Sequence, residues 1–178
     1  LEALQDLGIP VVTMPGAFEC KVATWDKREI ILPQTSVTAT GMVMMLATQL
    51  GKETIIHNAA CEPHVQELAE LLCEMGAHIE GIGSNLLHIH GVETLKGTEH
   101  TLLPDMIEIG SFIGLAAMTQ SDIIIKNVQY DSLGIIPDVF KKLGIKLYLE
   151  GDDIHVPEQD HYEVESFMDG SIMTISDA

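Results

Sequence analysis

The spacing of apolar residues predicts strands and helices that alternate along most of the chain. A β-branched run at residues 53–57 predicts a strand, and apolar residues that return at helical spacing from Val65 to Met75 predict a helix behind it. Pro63 suits the first helical position, and Gly76 suits the position after the last turn because glycine tolerates positive φ. These residues therefore predict a strand, a short loop and a helix in succession.

The same alternation is predicted on both sides of this unit. Upstream, the pattern indicates the tail of a helix that ends at Gly8, followed by strands at 11–14, 18–23 and 29–32. A second helix is predicted after them, capped by Ser36 or Thr38 and ended by Gly51, with apolar positions at Met42, Met45, Leu46 and Leu50. Downstream, it indicates strands at 78–80, 86–90, 100–102, 123–127, 146–150 and 154–156, a helix with an apolar stripe of Ile109, Phe112, Ile113 and Ala116, a helix at 133–143, and a hairpin at 167–172.

Parts of this pattern recur at a period of about 68 residues. Residues 55–58 (Ile-Ile-His-Asn) return as residues 124–127 (Ile-Ile-Lys-Asn), and a helix-ending glycine occurs at Gly8, Gly76 and Gly144. The sequence therefore predicts an α/β (α+β) fold with roughly two and a half copies of a strand-helix-strand-helix-strand-strand unit.

Composition narrows the classes of partner and the compartment. The 178 residues are 46% hydrophobic, enough for a substantial core, and 27 acidic against 9 basic residues give a formal charge of −18. This charge disfavours nucleic acid and anionic membranes as partners. No basic-then-apolar signal pattern and no apolar run of about 18 residues occurs, so a cytoplasmic location with reduced cysteines is expected.

Three features could carry chemistry, and each also has a purely structural explanation. The helix start at Ser36 and Thr38 offers N–H groups to an anion, or is a simple cap. Glu62 is a functional carboxylate, or only favours the positive end of a helix dipole. His88 and His90 share one strand face, but no third metal ligand is evident, so a solvated face is favoured and no metal site is predicted.

The acid-rich residues 158–165 are expected to form exposed strand edges.

Five ordered segments resemble the bacterial UDP-N-acetylglucosamine enolpyruvyl transferases, and the resemblance covers essentially the whole chain. They are residues 36–40 (Ser-Val-Thr-Ala-Thr), 58–65 (Asn-Ala-Ala-Cys-Glu-Pro-His-Val), 75–77 (Met-Gly-Ala), 89–93 (Ile-His-Gly-Val-Glu) and 103–112 (Leu-Pro-Asp-Met-Ile-Glu-Ile-Gly-Ser-Phe). The resemblance implies inside-out α/β barrel domains, incomplete here. Residues 1–103 would end the first, catalytic-type domain. Residues 104–178 would begin the second domain, or form a second unit packed on the first.

The resemblance also implies a function in peptidoglycan synthesis. Such enzymes transfer the enolpyruvyl group of phosphoenolpyruvate to UDP-N-acetylglucosamine, and no metal or organic cofactor is implied. By the same resemblance the UDP moiety would bind at the helix start, at Gln34, Ser36, Val37 and Thr38. Ser36 and Val37 match the family segment Lys-Val-Ser-Val-Gly, whereas Gln34 replaces its lysine and Thr38 its glycine.

Two further residues are implied as supports of the substrate cleft. Glu62 keeps the carboxylate of the family segment Asn-Ala-Ala-Arg-Glu-Pro-Glu, although Cys61 replaces its arginine and His64 its second carboxylate. Asp105 keeps the aspartate of Leu-Pro-Asp, and Met106 replaces the arginine that follows it.

No catalytic residue is expected within this chain. In register, the family's catalytic loop would precede Leu1 and the groups that hold phosphoenolpyruvate would follow Ala178, while the three cysteines lie outside the loop pattern. The 178 residues are therefore expected to be inactive by themselves. The alternatives are a non-catalytic UDP-sugar binding module, a self-associating structural module, or, among enzymes, a relative of enolpyruvyl-shikimate-phosphate synthase.

Overall fold

The computed structural model describes residues 1–166 and 170–171, and these residues build two apolar cores. One core belongs to a unit formed by residues 1–101, and the other to a unit formed from residue 102 onward. No helix among the described residues is long and apolar enough to cross a bilayer.

The first unit is a four-stranded sheet with helices on one face, preceded by a small hairpin. Its elements are α1 (Glu2–Asp6), β1 (Val11–Met14), β2 (Ala17–Cys20), β3 (Trp25–Ile31), α2 (Val37–Leu50), β4 (Gly51–His57), α3 (Pro63–Glu74), β5 (His78–Glu80) and β6 (Leu86–His90). The sheet order is β3-β4-β6-β5, in which β3 and β4 are parallel and the other pairs antiparallel. The predicted order of strands and helices is thus confirmed up to His90.

Side-chain alternation explains why only one face of this sheet is covered. Ile56, Leu87 and Ile89 are buried in the core, and their neighbours along each strand point the other way because successive strand residues alternate faces. The buried residues of helix α2 include Val43 and Met44, whereas Met45, one of the predicted core positions, is half exposed. The face of α2 that packs on the sheet therefore differs from the predicted face.

The second unit repeats part of this arrangement. It contains α4 (Met106–Thr119), β7 (Ile123–Ile125), a 3₁₀ turn (Tyr130–Leu133), α5 (Ile136–Lys142), β8 (Tyr148–Glu150) and β9 (Asp153–Val156). The sheet order β7-β9-β8, antiparallel throughout, corresponds to β4-β6-β5 of the first unit.

Backbone conformation supports the repeat residue by residue. Asn58 and Asn127, which follow β4 and β7, both adopt positive φ, at 58° and 53°. Gly76 and Gly144 also adopt positive φ after their helices, as the C-terminal position of a helix favours. The predicted recurrence at about 68 residues therefore corresponds to a recurrence of local structure.

Several predicted strands have different bounds in the structure. The predicted strand at 100–102 is wrong: His100 is held against α3 by Glu74, with Nδ1 3.0 Å from the carboxylate. The strand predicted at 18–23 ends at Cys20. The strand predicted at 29–32 begins earlier, at Trp25, whose indole N–H donates to Thr54 Oγ1 of β4 at 2.8 Å.

Comparable corrections apply in the second unit. The helix predicted at 133–143 is interrupted by Gly134, which adopts a φ of 57° that a helix cannot accommodate. The strand predicted at 146–150 starts at Tyr148 because the N–H of Lys146 donates to Oε1 of the buried Gln159. Residues 158–165, expected to be strand edges, form no strand. Phe112 of the predicted stripe is 43% exposed.

The predicted hairpin at 167–172 lies outside the described residues except for Gly170 and Ser171.

Candidate functional site

The predicted site lies where two parallel strands of the first unit end. Strands β3 and β4 run side by side, so the loops that follow them, residues 32–36 and 58–62, leave the sheet at the same edge. Each loop leads directly into a helix, α2 and α3 respectively. In α/β sheets the crevice at the carboxyl ends of parallel strands is where ligands bind.

Asn58 joins the two loops. Its side-chain Nδ2 donates to the carbonyl of Leu32 at 2.9 Å, and Thr35 Oγ1 donates to its Oδ1 at 3.4 Å. Positive φ is uncommon outside glycine, but asparagine tolerates it better than most residues. Asn58 therefore holds the start of α2 against the end of β4.

Thr40 makes a second connection that the sequence did not reveal. It is fully buried in the first turns of α2, and its Oγ1 accepts the N–H of Ala60 at 3.0 Å. The sequence does not single out this threonine, because the same helix also contains Thr38 and Thr48. Together with Asn58, Thr40 fixes the loop at 58–62 relative to the N-terminus of α2.

The N-terminus of α2 is capped by Ser36, one of the two predicted cap residues. Ser36 has extended backbone, and its Oγ accepts the N–H of Ala39 at 3.2 Å. The other N–H groups of a first helical turn have no partner within the helix, which leaves those of Val37 and Thr38 to a ligand or to water. Gln34 and Thr38 are exposed, and Ser36 and Val37 are half-buried.

At this helix start, the only positive charge that the two loops and the first turn offer to an anion is the partial charge of the helix backbone. The first turn of α2 contains no acidic residue, and neither loop contains a lysine or an arginine. The partial positive charge of the helix N-terminus is thus not neutralised by a carboxylate of its own first turn. An anion bound here would rely on N–H groups and on the Gln34 and Thr38 side chains.

Glu62 lies at the start of α3 but does not cap it. No hydrogen bond joins its side chain to the first turn of that helix, where Pro63 lacks an N–H. Among the side chains that the structure describes, Glu62 has a buried oxygen, Oε2, without a hydrogen-bond partner. A buried, unpaired carboxylate oxygen is costly, so this atom is suited to accept a hydrogen bond from a group outside the chain.

Asp105, in the second unit, is a helix cap. Its Oδ1 accepts the N–H of Ile107 at 2.8 Å and that of Glu108 at 3.2 Å. The carboxylate therefore fills the N-terminus of α4, whereas that of α2 has only a serine hydroxyl. Met106 is the first helical residue after it.

The exposed face of the first sheet contains a cluster that could hold a metal ion. His78, Glu80 and His90 each offer a ligand atom, and these atoms all lie within 4.8 Å of one another. In the sequence, His90 is paired with His88 and no third ligand is evident. The missing signal was the hairpin register, which places His78 of β5 opposite His90 of β6.

A sequence profile of the EPSP synthase (3-phosphoshikimate 1-carboxyvinyltransferase) family matches residues 1–177. The chain belongs to this family. Its relatives within the family include UDP-N-acetylglucosamine 1-carboxyvinyltransferases: that of Bacteroides thetaiotaomicron is 57% identical over 163 residues, and that of Bacteroides fragilis strain YCH46 is 61% identical over 149 residues. The resemblance to these enzymes inferred from the five segments is thus confirmed.

The match covers most of this chain but a minor part of each relative. The alignment includes 92% of this chain and 38% of the Bacteroides thetaiotaomicron protein, and 84% and 34% in the Bacteroides fragilis case. This chain therefore corresponds to little more than a third of the length of these EPSP synthase family members.

Solved structures of enolpyruvyl transferases share the fold. The enolpyruvyl transferase NikO from Streptomyces tendae matches 97% of this chain and 45% of its own, with a TM-score of 0.76 at 15% identity. EPSP synthase from Acinetobacter baumannii matches 88% of this chain and 38% of its own, with a TM-score of 0.58 at 19% identity. At these identities the likeness shows the fold alone, and it confirms the predicted mixed α/β class.

Proposed function

We propose that this chain is part of an enzyme that transfers the enolpyruvyl group of phosphoenolpyruvate to UDP-N-acetylglucosamine, in the cytoplasmic synthesis of peptidoglycan. Identities of 57% and 61% to enzymes named for this substrate support the proposal. In this proposal residues 1–103 end the first α/β domain of the parent enzyme and residues 104–178 begin the second.

The part of the reaction assigned to these residues is recognition of the UDP moiety at the start of α2. The observation that carries this assignment is a helix N-terminus without a carboxylate in its first turn, held by Asn58 at the carboxyl edge of parallel strands. Phosphate oxygens or uracil carbonyls would accept hydrogen bonds from the N–H groups of Val37 and Thr38. Gln34 would donate through its amide where relatives of the resembled type have a lysine.

Glu62 would act beside this site as an acceptor. Its buried Oε2 has no partner among the described residues, so a sugar hydroxyl or a donor from the rest of the parent enzyme would satisfy it. Asp105 is proposed to support the cleft by fixing the start of α4, since its carboxylate is already engaged with that helix.

The 178 residues alone are expected to bind without turnover. None of Cys20, Cys61 and Cys73 occupies the motif position of the catalytic loop in the family that the chain resembles. All three are free thiols, and a general acid for the transfer would come from the rest of the parent enzyme.

An amide chemical-shift titration tests the binding assignment. With millimolar UDP-N-acetylglucosamine, the amides of Ser36, Val37 and Thr38 are expected to shift. Those of Ile107 and Glu108 are the control, because Asp105 already occupies them. Shikimate 3-phosphate at equal concentration is expected to shift these amides less. Unchanged amides at Ser36 to Thr38, or larger shifts with shikimate 3-phosphate, would refute the assignment.

A second candidate function is a self-associating structural module. Helix α4 exposes Ile107, Leu115 and Met118, the last at 88%, so an apolar face of this helix is uncovered in its unit. A second copy of the chain could cover that face. A single monomeric species in light scattering at concentrations up to the millimolar range would rule this function out. A dimer that dissociates in the Met118→Lys variant would support it.

A further inference from the structure

Imidazole and carboxylate side chains converge on the outer face of the first sheet, at its β5 edge. In the β5–β6 ladder His78 lies opposite His90, and Glu80 lies opposite His88. Directly opposed side chains of an antiparallel pair are close enough to contact one another. The buried neighbours Ile79 and Ile89 point to the other face, so the four polar side chains are presented together to solvent.

The distances suit a single small cation. His78 Nε2 lies 3.0 Å from Glu80 Oε1, and the rings of His78 and His90 have centroids 5.0 Å apart at 90°. One ligand atom from each of His78, Glu80 and His90 lies within 4.8 Å of the others. A tetrahedral zinc ion with bonds of about 2.0–2.2 Å separates its ligands by about 3.4 Å, so small rotations of these side chains would close the site.

From this geometry we propose that His78, Glu80 and His90 bind a divalent late transition-metal ion of the zinc class. Two imidazoles and one carboxylate form a donor set that zinc accepts, with a fourth position open to water. Magnesium and calcium prefer sets made only of oxygen ligands, so the two imidazoles select against them.

His88 is assigned a positioning role rather than a ligand role. Its ring packs against that of His90, with centroids 4.4 Å apart and an interplanar angle of 40°. Its Nε2 lies 3.1 Å from Glu53 Oε1. Lys27 Nζ also lies 3.1 Å from Glu53 Oε1. His88 is thereby held by β4 and limits the orientations that His90 can take.

Among the described residues, other histidine–carboxylate pairs do not form part of a three-ligand group. His57 lies 2.7 Å from Glu29, and His155 lies 3.1 Å from Asp122, but neither pair belongs to a described group of three ligands. The bound ion would also link β5, a three-residue edge strand, to β6. The site is distinct from the proposed UDP site, because His90 pairs with Glu53 near the start of β4 whereas Asn58 follows its end.

Zinc titration of the reduced 178-residue chain tests the proposal. Imidazole ¹⁵N spectra are expected to show shifts of His78 and His90 that saturate at one zinc per chain, with His57 and His155 unchanged. Calorimetry is expected to give an affinity that falls at least about tenfold in His90→Gln and in Glu80→Gln. His57→Gln is the matched control, since it removes an exposed imidazole paired with a carboxylate on the same sheet face, and its affinity is expected to stay within about twofold of wild type.

Three outcomes would overturn the assignment. The first is equal shifts of all histidine rings, or none, at a molar excess of zinc. The second is unchanged affinity in both His90→Gln and Glu80→Gln. The third is loss of binding when the cysteines are alkylated, which would assign the ion to Cys20, Cys61 or Cys73. The ring shifts are measured on the unaltered chain, so they decide the question even if a variant fails to fold.

Discussion

Replacing Asn58 by glycine removes the side chain that joins the two loops of the candidate site while keeping its backbone conformation accessible. The change deletes the 2.9 Å hydrogen bond from Nδ2 to the carbonyl of Leu32, a residue that is 1% exposed. A buried carbonyl left without a partner costs about 1–3 kcal/mol. Glycine also adds backbone entropy to the unfolded chain, and a control must separate that contribution.

Asn127 is that control, because it occupies the equivalent position of the second unit. Its φ is 53°, close to the 58° of Asn58, but its side chain has no hydrogen bond among the described residues. Asn127→Gly therefore reports the glycine effect alone. The free energy of unfolding of the first unit should fall by about 1–3 kcal/mol more in Asn58→Gly than that of the second unit falls in Asn127→Gly.

Each unit can be followed by its own aromatic residues in urea unfolding. Trp25, the single tryptophan, lies in the first unit, and the three tyrosines lie in the second. Tryptophan fluorescence then follows Asn58→Gly and tyrosine near-UV circular dichroism follows Asn127→Gly. Asn58→Ala should cost a further 1–2 kcal/mol or so, since alanine tolerates positive φ poorly. A difference below about 0.5 kcal/mol between the two glycine variants would refute the joining role of Asn58.

Two other predictions concern stability. The carboxylate of Glu74, chiefly through its hydrogen bond to the ring, raises the folded-state pKa of His100 above its ordinary value. His100 therefore stabilises the fold fully below about pH 6.5, and this contribution is lost as the pH rises through the folded-state pKa. The difference in the free energy of unfolding between wild type and His100→Gln, measured in urea, should shrink over that rise, and a difference that grows with pH would contradict the prediction. Ile113→Ala, at a fully buried position, should cost about 2–5 kcal/mol, whereas Phe112→Ala, at a residue 43% exposed, should cost clearly less; equal losses in thermal unfolding would mean that the stripe of α4 is wrongly oriented.

Local signals in the sequence predicted the elements around the candidate site. Pro63 and Gly76 mark the ends of α3, and Ser36 caps α2, because caps depend on a few adjacent residues. The repeat was readable for the same reason: Asn58 and Asn127 occupy equivalent backbone positions.

What the sequence did not predict depends on contacts between distant residues. The strand expected at 100–102 is absent since His100 pairs with α3, and the strand near Lys146 is shortened by the side chain of Gln159. The metal cluster requires the register of β5 against β6, which no local pattern of His88 and His90 specifies. The hydrogen bond between Thr40 and Ala60 likewise joins two segments of the chain 20 residues apart.

The affinity of UDP-N-acetylglucosamine for Gln34→Lys, compared with wild type and Gln49→Lys, tests the proposed site most directly. Both variants add one positive charge at an exposed glutamine near helix α2, Gln34 before its N-terminus and Gln49 in its last turn. A new charged hydrogen bond to a phosphate contributes about 1.5–3 kcal/mol, so Gln34→Lys should tighten binding about 10- to 150-fold while Gln49→Lys stays near wild type. Unchanged affinity in Gln34→Lys, or equal tightening in both variants, would contradict a UDP site at the start of α2.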